Sequence, residues 1–313
     1  MLYPFKMSPV FKQYIWGGEN LKSLYGKEIP GYPTAESWEV ACHKNGVSSI
    51  ANGEYKGSLL TDVISKLGAD VLGNNIKPDE KFPLLLKILD AQDKLSVQVH
   101  PEDAYAGKNE NGEKGKTEMW YVLSAISGAR LVYGFKEGVT KEAYEKAIEN
   151  GTLEEILNYV DVKEGDVFFI PAGTVHAIGE GLIIAEIQQN SDTTYRVYDY
   201  NRVDAEGNKR ELHIKKALDV SNIECATGSE KTHGLIVKSG DNTITYLVCC
   251  DYFAFEKLSV KNNIEQTTGG NRMHILVIAK GTGEIKYSGG SEQFKAGDSF
   301  VIPAALGKYE ILG

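Results

Sequence analysis

No stretch of this chain is long and apolar enough to cross a bilayer as a helix. The longest apolar runs, such as "FPLLLKIL" and "GLIIAEI", are short or interrupted by charge. The N-terminal "MLYPFKMSPVFKQY" lacks the apolar core of a secretory signal. Cysteine is scarce. Cys42, Cys225, Cys249 and Cys250 form no Cys-x-x-Cys, and the adjacent pair is poorly placed for a disulfide, so a reducing, cytoplasmic setting is expected. Basic excess is missing too. The 34 Lys and Arg face 43 Asp and Glu, and the net charge of −9 argues against a nucleic acid or another polyphosphate partner. A small anionic ligand is compatible with that balance if Lys and Arg are placed locally for it. The rest is the composition of a globular chain: 313 residues, 42% hydrophobic and 25% charged, enough for one large or two ordinary domains.

Short β-branched and aromatic runs dominate, among them "ESWEVACH", "LSVQVH", "EMWYVLSA", "GDVFFIPA", "LIIAEIQQ", "ITYLVCC" and "GDSFVIPA", broken by Gly- and Asn-rich turns. This spacing predicts a mainly β protein of the sandwich or jelly-roll kind rather than a doubly wound sheet. Two patches read as helical, 58–73 and 140–160. In the second, Thr152 and Glu155 form a Thr-x-x-Glu capping box. One internal repeat is visible: "GDVFFIPAGTVHAI" from Gly165 and "GDSFVIPAALGKYEI" from Gly297. The same offset carries Asp166 onto Asp298, Pro171 onto Pro303 and His176 onto Lys308. A second echo joins "EMWYVLSAISGARLVYG" to "MHILVIAKGTGEIKYSG", where Glu118 falls on Met273 or His274. Two related β-domains are therefore expected, 1–225 with a helical insertion near 138–160, and 226–313. "KRELHIKKALDV" reads as a connecting helix before a boundary near 226–234.

In "LSVQVHPEDAY", alternation puts Ser96, Gln98 and His100 on one face of a strand, opposite Val97 and Val99. An exposed edge strand would give the same pattern. His100, Glu118 and His176 stand at three separate strand ends, and all three can ligate a metal, with Gln98 a possible fourth. Neutral imidazoles with an ionised carboxylate suit a divalent ion of the zinc type, and three or four protein ligands leave a position open for chemistry. The C-terminal copy of the repeat keeps the turn and strand signals and loses these polar groups. A purely folding role for His176 and Glu118 would lead one to expect them in both copies.

These residues carry a resemblance. A His, a Glu and a Pro-x-Gly-x-x-His on a β-sandwich resemble the cupin superfamily. Within it, "LSVQVHPEDAY", "GKTEMWYVL", "FIPAGTVHAIG", "YIWGG", "ESWEV" and "NSDTTYRVYDYNR" resemble the type I phosphomannose isomerases of the short bacterial branch, over residues 11 to about 202. The resemblance implies two cupin domains, the second metal-free, and one zinc per chain held by Gln98, His100, Glu118 and His176. It also implies a catalytic Arg196 and a substrate pocket with Lys87, Ser96, Lys116, Glu186 and Arg202. The implied reaction interconverts mannose 6-phosphate and fructose 6-phosphate. The chain departs from fungal members at Ile178, two residues after the metal His, where those enzymes carry Tyr. Two alternatives stand beside this reading: a non-catalytic sugar-phosphate-binding cupin and an iron-dependent cupin dioxygenase.

Aldose–ketose isomerisation moves a proton between C1 and C2, usually through a cis-enediol, and needs a cation at the carbonyl oxygen. For the base, Glu186 is one candidate, because "IIAEIQQN" places it on the face of Gln188. A metal-bound water is another, and a metal-assisted hydride shift is a different route. The phosphate needs fixed cations. A charge inside the apolar "LLLKIL" is costly without a partner, so Lys87 is expected either to meet a bound anion or to reach solvent by snorkelling. For Arg196 and Arg202 the competing role is structural pairing with Asp192, Asp199 or Asp204.

Overall fold

The computed structural model describes residues 1–76, 82–203, 206–223 and 231–313. Cys225, Asp204 and most of the expected boundary at 226–234 lie outside the described residues. Among the described residues, Cys42, Cys249 and Cys250 are free thiols, and no helix is long and apolar enough to cross a membrane.

The fold is mainly β and is built from two jelly-roll sandwiches. The first has a six-stranded antiparallel sheet in the order Val167–Ile170, Glu118–Ala125, Leu182–Gln189, Leu84–Ala91, Glu36–Val40, Val10–Lys12. The sheet packed on it runs Leu157–Asp161, Arg130–Phe135, His176–Ile178, Val97–Val99, Tyr195–Tyr198. Leu89, Trp120, Val122, Phe168 and Ile184 from the first sheet meet Leu131 and Ile178 from the second. The other face of the large sheet is covered as well. There Leu86, Met119 and Ile187 pack on Phe5, Ile50, Leu60, Val63 and Val301. Burial on both faces explains why Leu84–Ala91 and Leu182–Gln189 read as nearly unbroken apolar runs.

The second sandwich pairs the sheet His274–Val277, Ser299–Ile302, Phe5–Ser8, Ser49–Ile50 with the sheet Asn263–Thr267, Lys308–Leu312, Thr282–Tyr287, Gly290–Lys295. Ile264, Ile285, Phe300, Ile302, Tyr309 and Ile311 form its core. The first strand of the chain thus lies in the second sandwich, with Phe5 opposite Val301. Glu39 fastens the two halves. It is 1% exposed, pairs with Lys27 at 2.7 Å and accepts from the Ser299 hydroxyl at 2.5 Å.

The repeat seen in the sequence is a repeat of structure. Glu118–Ala125 pairs antiparallel with Val167–Ile170, and His274–Val277 pairs in the same way with Ser299–Ile302. The shared Gly-Asp is a turn device. Gly165 and Gly297 both sit at φ 87°, where a Cβ is strained. Asp166 accepts from the Lys163 N–H and Asp298 from the Lys295 N–H, each at 2.9 Å.

The helical segment at 140–160 is shorter than its sequence suggests. Helices Lys141–Asn150 and Leu153–Ile156 are followed by the strand Leu157–Asp161, which pairs with Arg130–Phe135. The last residues of that segment alternate in burial as an edge strand does, and tertiary pairing wins over local propensity. The capping box at Thr152 and Glu155 does not form, because Thr152 sits at φ −108°, ψ 21° and its side chain caps nothing. Thr140 is the working cap, accepting from the Ala143 N–H at 3.2 Å. Thr140→Ala should therefore lower stability by about 1 kcal/mol in urea unfolding, and Thr152→Ala should change little. Equal losses would show that Thr140 does not cap. Patch 58–73 forms helices Leu60–Leu67 and Ala69–Leu72, and the connecting helix is Ile214–Val220.

Candidate active site

Cross-strand register assembles the site between the two sheets of the first sandwich. Directly paired residues project to the same face. In the large sheet, Glu186 pairs with Trp120 on one side and Lys87 on the other, and Gln188 pairs with Glu118. In the facing sheet, His176 pairs with Gln98, and Gln98 pairs with Arg196. Two polar rows thus confront one another at one end of an otherwise apolar interior.

At their meeting point His100, Glu118 and His176 hold their donor atoms within 4.8 Å of one another, and all three residues are buried. His176 Nε2 is 3.3 Å from Glu118 Oε1, and His100 Nε2 is 3.5 Å from Glu118 Oε2. The Nδ1 atoms face the backbone carbonyls of Thr174 at 2.8 Å and Thr193 at 2.9 Å. Donation to those carbonyls fixes the proton on Nδ1 and turns the Nε2 lone pair inward. The Gln98 amide reaches to 3.3 Å from His176 Nε2, and a half-turn of that amide exchanges Nε2 for the Oε1 acceptor that a cation needs. Both oxygens of Glu118 are buried, Oε2 against the Lys116 ammonium at 2.7 Å and Oε1 with no hydrogen-bond partner among the described residues. A buried acceptor without a partner is rare and calls for an explanation. Two imidazoles, a carboxylate and an amide around one point fit a divalent metal.

The electrostatics agree. Burial lowers His176 to about 4, and burial with the Lys116 charge holds His100 well below its usual value, so both rings are neutral acceptors. Burial and the Glu186 charge push the Glu118 carboxyl up to about 7, a burden that a bound divalent cation removes. Lys116 lies 2.7 Å from Glu118 and 3.8 Å from Glu186. Lys87 lies 3.4 Å from Glu186 and 3.7 Å from Glu36. Burial alone would raise Glu186, but Lys116 and Lys87 outweigh it and keep the carboxylate ionised. Trp120 Nε1 donates to Glu186 Oε2 at 3.1 Å, and Oε1 faces the Lys87 and Lys116 ammoniums.

Of the residues singled out in the sequence, Gln98, His100, Glu118, His176, Lys87, Lys116 and Glu186 come together here. Lys87 does not wait for an external anion, since Glu36 and Glu186 already flank it. Ser96 is buried one alternation before Gln98. Arg196 lies in the Gln98 row, its Nη1 donating to the Glu211 carbonyl at 2.8 Å. Arg202 is tied to Asp199 at 2.6 Å, a structural pairing that its sequence context also suggested, and to Asp93 at 3.1 Å, which it did not. Ile178 is buried opposite Leu131 in the apolar core, so no hydroxyl enters the site from that position. Sequence reading missed Glu36, which is held by the Trp38 indole at 2.6 Å. The signal was available, because a carboxylate and an indole share one face of the apolar strand "ESWEV".

These features define a jelly-roll protein with, among the described residues, one buried, metal-competent His–Glu–His centre beside an ionised carboxylate. Comparison with known proteins makes the assignment particular. A family model described as phosphomannose isomerase type I, catalytic domain, matches residues 4–129, and one described as mannose-6-phosphate isomerase, cupin domain, matches residues 242–313. Mannose-6-phosphate isomerase ManA of Bacillus subtilis is 42% identical over 99% of this chain and 96% of its own length. The mannose-6-phosphate isomerase of Streptococcus mutans is 47% identical over 71% of this chain and 69% of its own length. A crystal structure of the mannose 6-phosphate isomerase from Bacillus subtilis superimposes with TM-score 0.93 at 36% identity, covering 100% of this chain and 97% of that one. The chain belongs to the type I phosphomannose isomerase family and is an isomerase on a cupin scaffold. That membership sets aside a non-catalytic binding cupin and an iron-dependent dioxygenase.

Proposed function

We propose that this chain interconverts mannose 6-phosphate and fructose 6-phosphate, with one zinc ion per chain held by Gln98, His100, Glu118 and His176. The observation that carries this reading is the junction of a buried His–Glu–His cluster with an ionised Glu186 whose Oε1 faces Lys87 and Lys116. A zinc ion there would act as a Lewis acid on the carbonyl and hydroxyl oxygens of the sugar. Glu186 would move the proton between C1 and C2 through Oε1, while Trp120 holds the other oxygen in position. Lys87 and Lys116 keep that carboxylate charged and within reach. Arg196 is assigned to the negative charge that develops on the enediolate, and Ser96 and Arg202 to the rest of the substrate. The first sandwich would then hold the chemistry, and the second, which borrows Phe5–Ser8 and Ser49–Ile50 from the expected 1–225 domain, would be a metal-free jelly roll supporting it.

The protein should purify with about one metal per chain, measured by elemental analysis. Chelation should abolish mannose 6-phosphate turnover in a coupled assay, and zinc should restore it. Two equivalents of metal, with the loss of one harmless, would sink the assignment of a single catalytic site.

A further inference from the structure

Resting on the metal site proposed above, we propose that Ser191 is a positioning residue for the ligand His100, its hydroxyl fixing the Thr193 carbonyl that orients the ring. The two metal-competent imidazoles are held differently. His176 Nδ1 donates to the carbonyl of Thr174, two residues back in the same turn. That turn is closed by backbone bonds, with the Thr174 N–H on the Pro171 carbonyl at 3.1 Å and the Gly173 N–H on the His100 carbonyl at 2.8 Å. His100 Nδ1 donates instead to Thr193, 93 residues away. Residues 191–194 lie in neither helix nor strand, between Leu182–Gln189 and Tyr195–Tyr198, so no sheet ladder fixes that carbonyl.

The Ser191 side chain does so in its place. It is fully buried. Its Oγ accepts from the Thr193 N–H at 3.3 Å and donates to the Lys114 carbonyl at 2.8 Å. Lys114 belongs to a segment tied to the residues that follow His100. The Lys116 N–H donates to the Pro101 carbonyl at 3.0 Å, and the Gly115 N–H to Asp103 Oδ1 at 2.7 Å. A closed circuit therefore runs from His100 through Thr193, Ser191, Lys114 and Lys116 to Pro101 and back. Apart from the imidazole, its only side chain is the Ser191 hydroxyl, which serves as donor and acceptor at once. Other tethers act elsewhere on the segment. The Gln188 amide donates to the carbonyls of Gln189 and Ser191, which fixes where the chain leaves its strand. The bond from Asn45 to Asp192 lies at the exposed surface, where water competes for both groups. Groups that orient a metal ligand are worth roughly 10- to 100-fold in metal affinity. Ser191 acts through one further bond, which places it at the lower end of that range.

The test is zinc affinity, measured on zinc-free protein by competition with a chromophoric chelator, together with melting curves with and without zinc. Ser191→Ala should weaken zinc binding about tenfold and shrink the rise in melting temperature that zinc produces. If Ser191→Ala does not fold, Ser191→Cys takes its place, filling similar space with a much weaker donor. A folded variant that binds zinc as tightly as wild type overturns the proposal. If such a variant melts earlier by the same amount with and without zinc, Ser191 serves packing alone. Weakened zinc binding in the variant, alongside a wild type that holds zinc but does not turn over mannose 6-phosphate, keeps the Ser191 link and overturns the assigned reaction. A wild type that binds no zinc overturns both.

Discussion

Arg196→Ala should lower kcat by about a hundredfold to a thousandfold, the equivalent of roughly 3 kcal/mol of transition-state stabilisation, with KM changing much less. The expectation follows from where Arg196 lies. It is the cross-strand neighbour of Gln98, which neighbours His176, so its side chain shares the face of the metal ligands. Its Nη1 is anchored on the Glu211 carbonyl, and its Nε is buried without a partner among the described residues. On the proposed function, an anchored guanidinium with an unused donor would meet a negative charge that appears only during reaction. Arg196→Lys keeps the charge, loses the fork, and should also lower kcat steeply. Metal content and melting temperature should stay near wild type in both variants. A sharp rise in KM with kcat preserved would instead make Arg196 a phosphate ligand.

His176→Ala should remove activity far more than it removes stability. Mutation of groups that merely orient a metal ligand costs roughly 10- to 100-fold, and loss of the ligand itself should exceed that, with metal content falling in parallel. The internal repeat supplies the control. Lys308 begins its strand as His176 begins its own, yet its side chain is 77% exposed and pairs with a similarly exposed Glu265. Exposed pairs of this kind are worth little, so Lys308→Ala should leave activity and melting temperature almost unchanged. Elemental analysis, turnover and thermal melts on the two variants decide the matter. If both melt early and alike, His176 serves folding rather than metal binding.

The repeat shows which residues serve the fold and which serve the site. Gly165 and Gly297, with Asp166 and Asp298, recur because both sandwiches need the same turn. His176 and Glu118 do not recur, and both lie at the metal-competent centre. His100, Glu118 and His176 were legible because polar residues at the ends of apolar strands are conspicuous in a period-two pattern. Glu36 was legible in principle and was passed over. The pairing of Arg210 with Asp199 at 2.5 Å was not legible, since nothing in a linear pattern says which of several nearby acids an arginine will choose. The strand Leu157–Asp161 was misread for a related reason: only its pairing with Arg130–Phe135 makes it a strand.

By itself the sequence determined the mainly β class, the duplication and the inward-facing donors, because alternation and turn chemistry are local properties of neighbouring residues. Tertiary structure alone decided the partners. Lys87 lies 51 residues from Glu36 and 99 from Glu186, and only strand register brings both carboxylates to it. Register likewise sends the N-terminal strand into the second sandwich, opposite Val301. Burial then sets the chemistry, because a charge excluded from water takes its ionisation state from whichever group the fold has placed beside it.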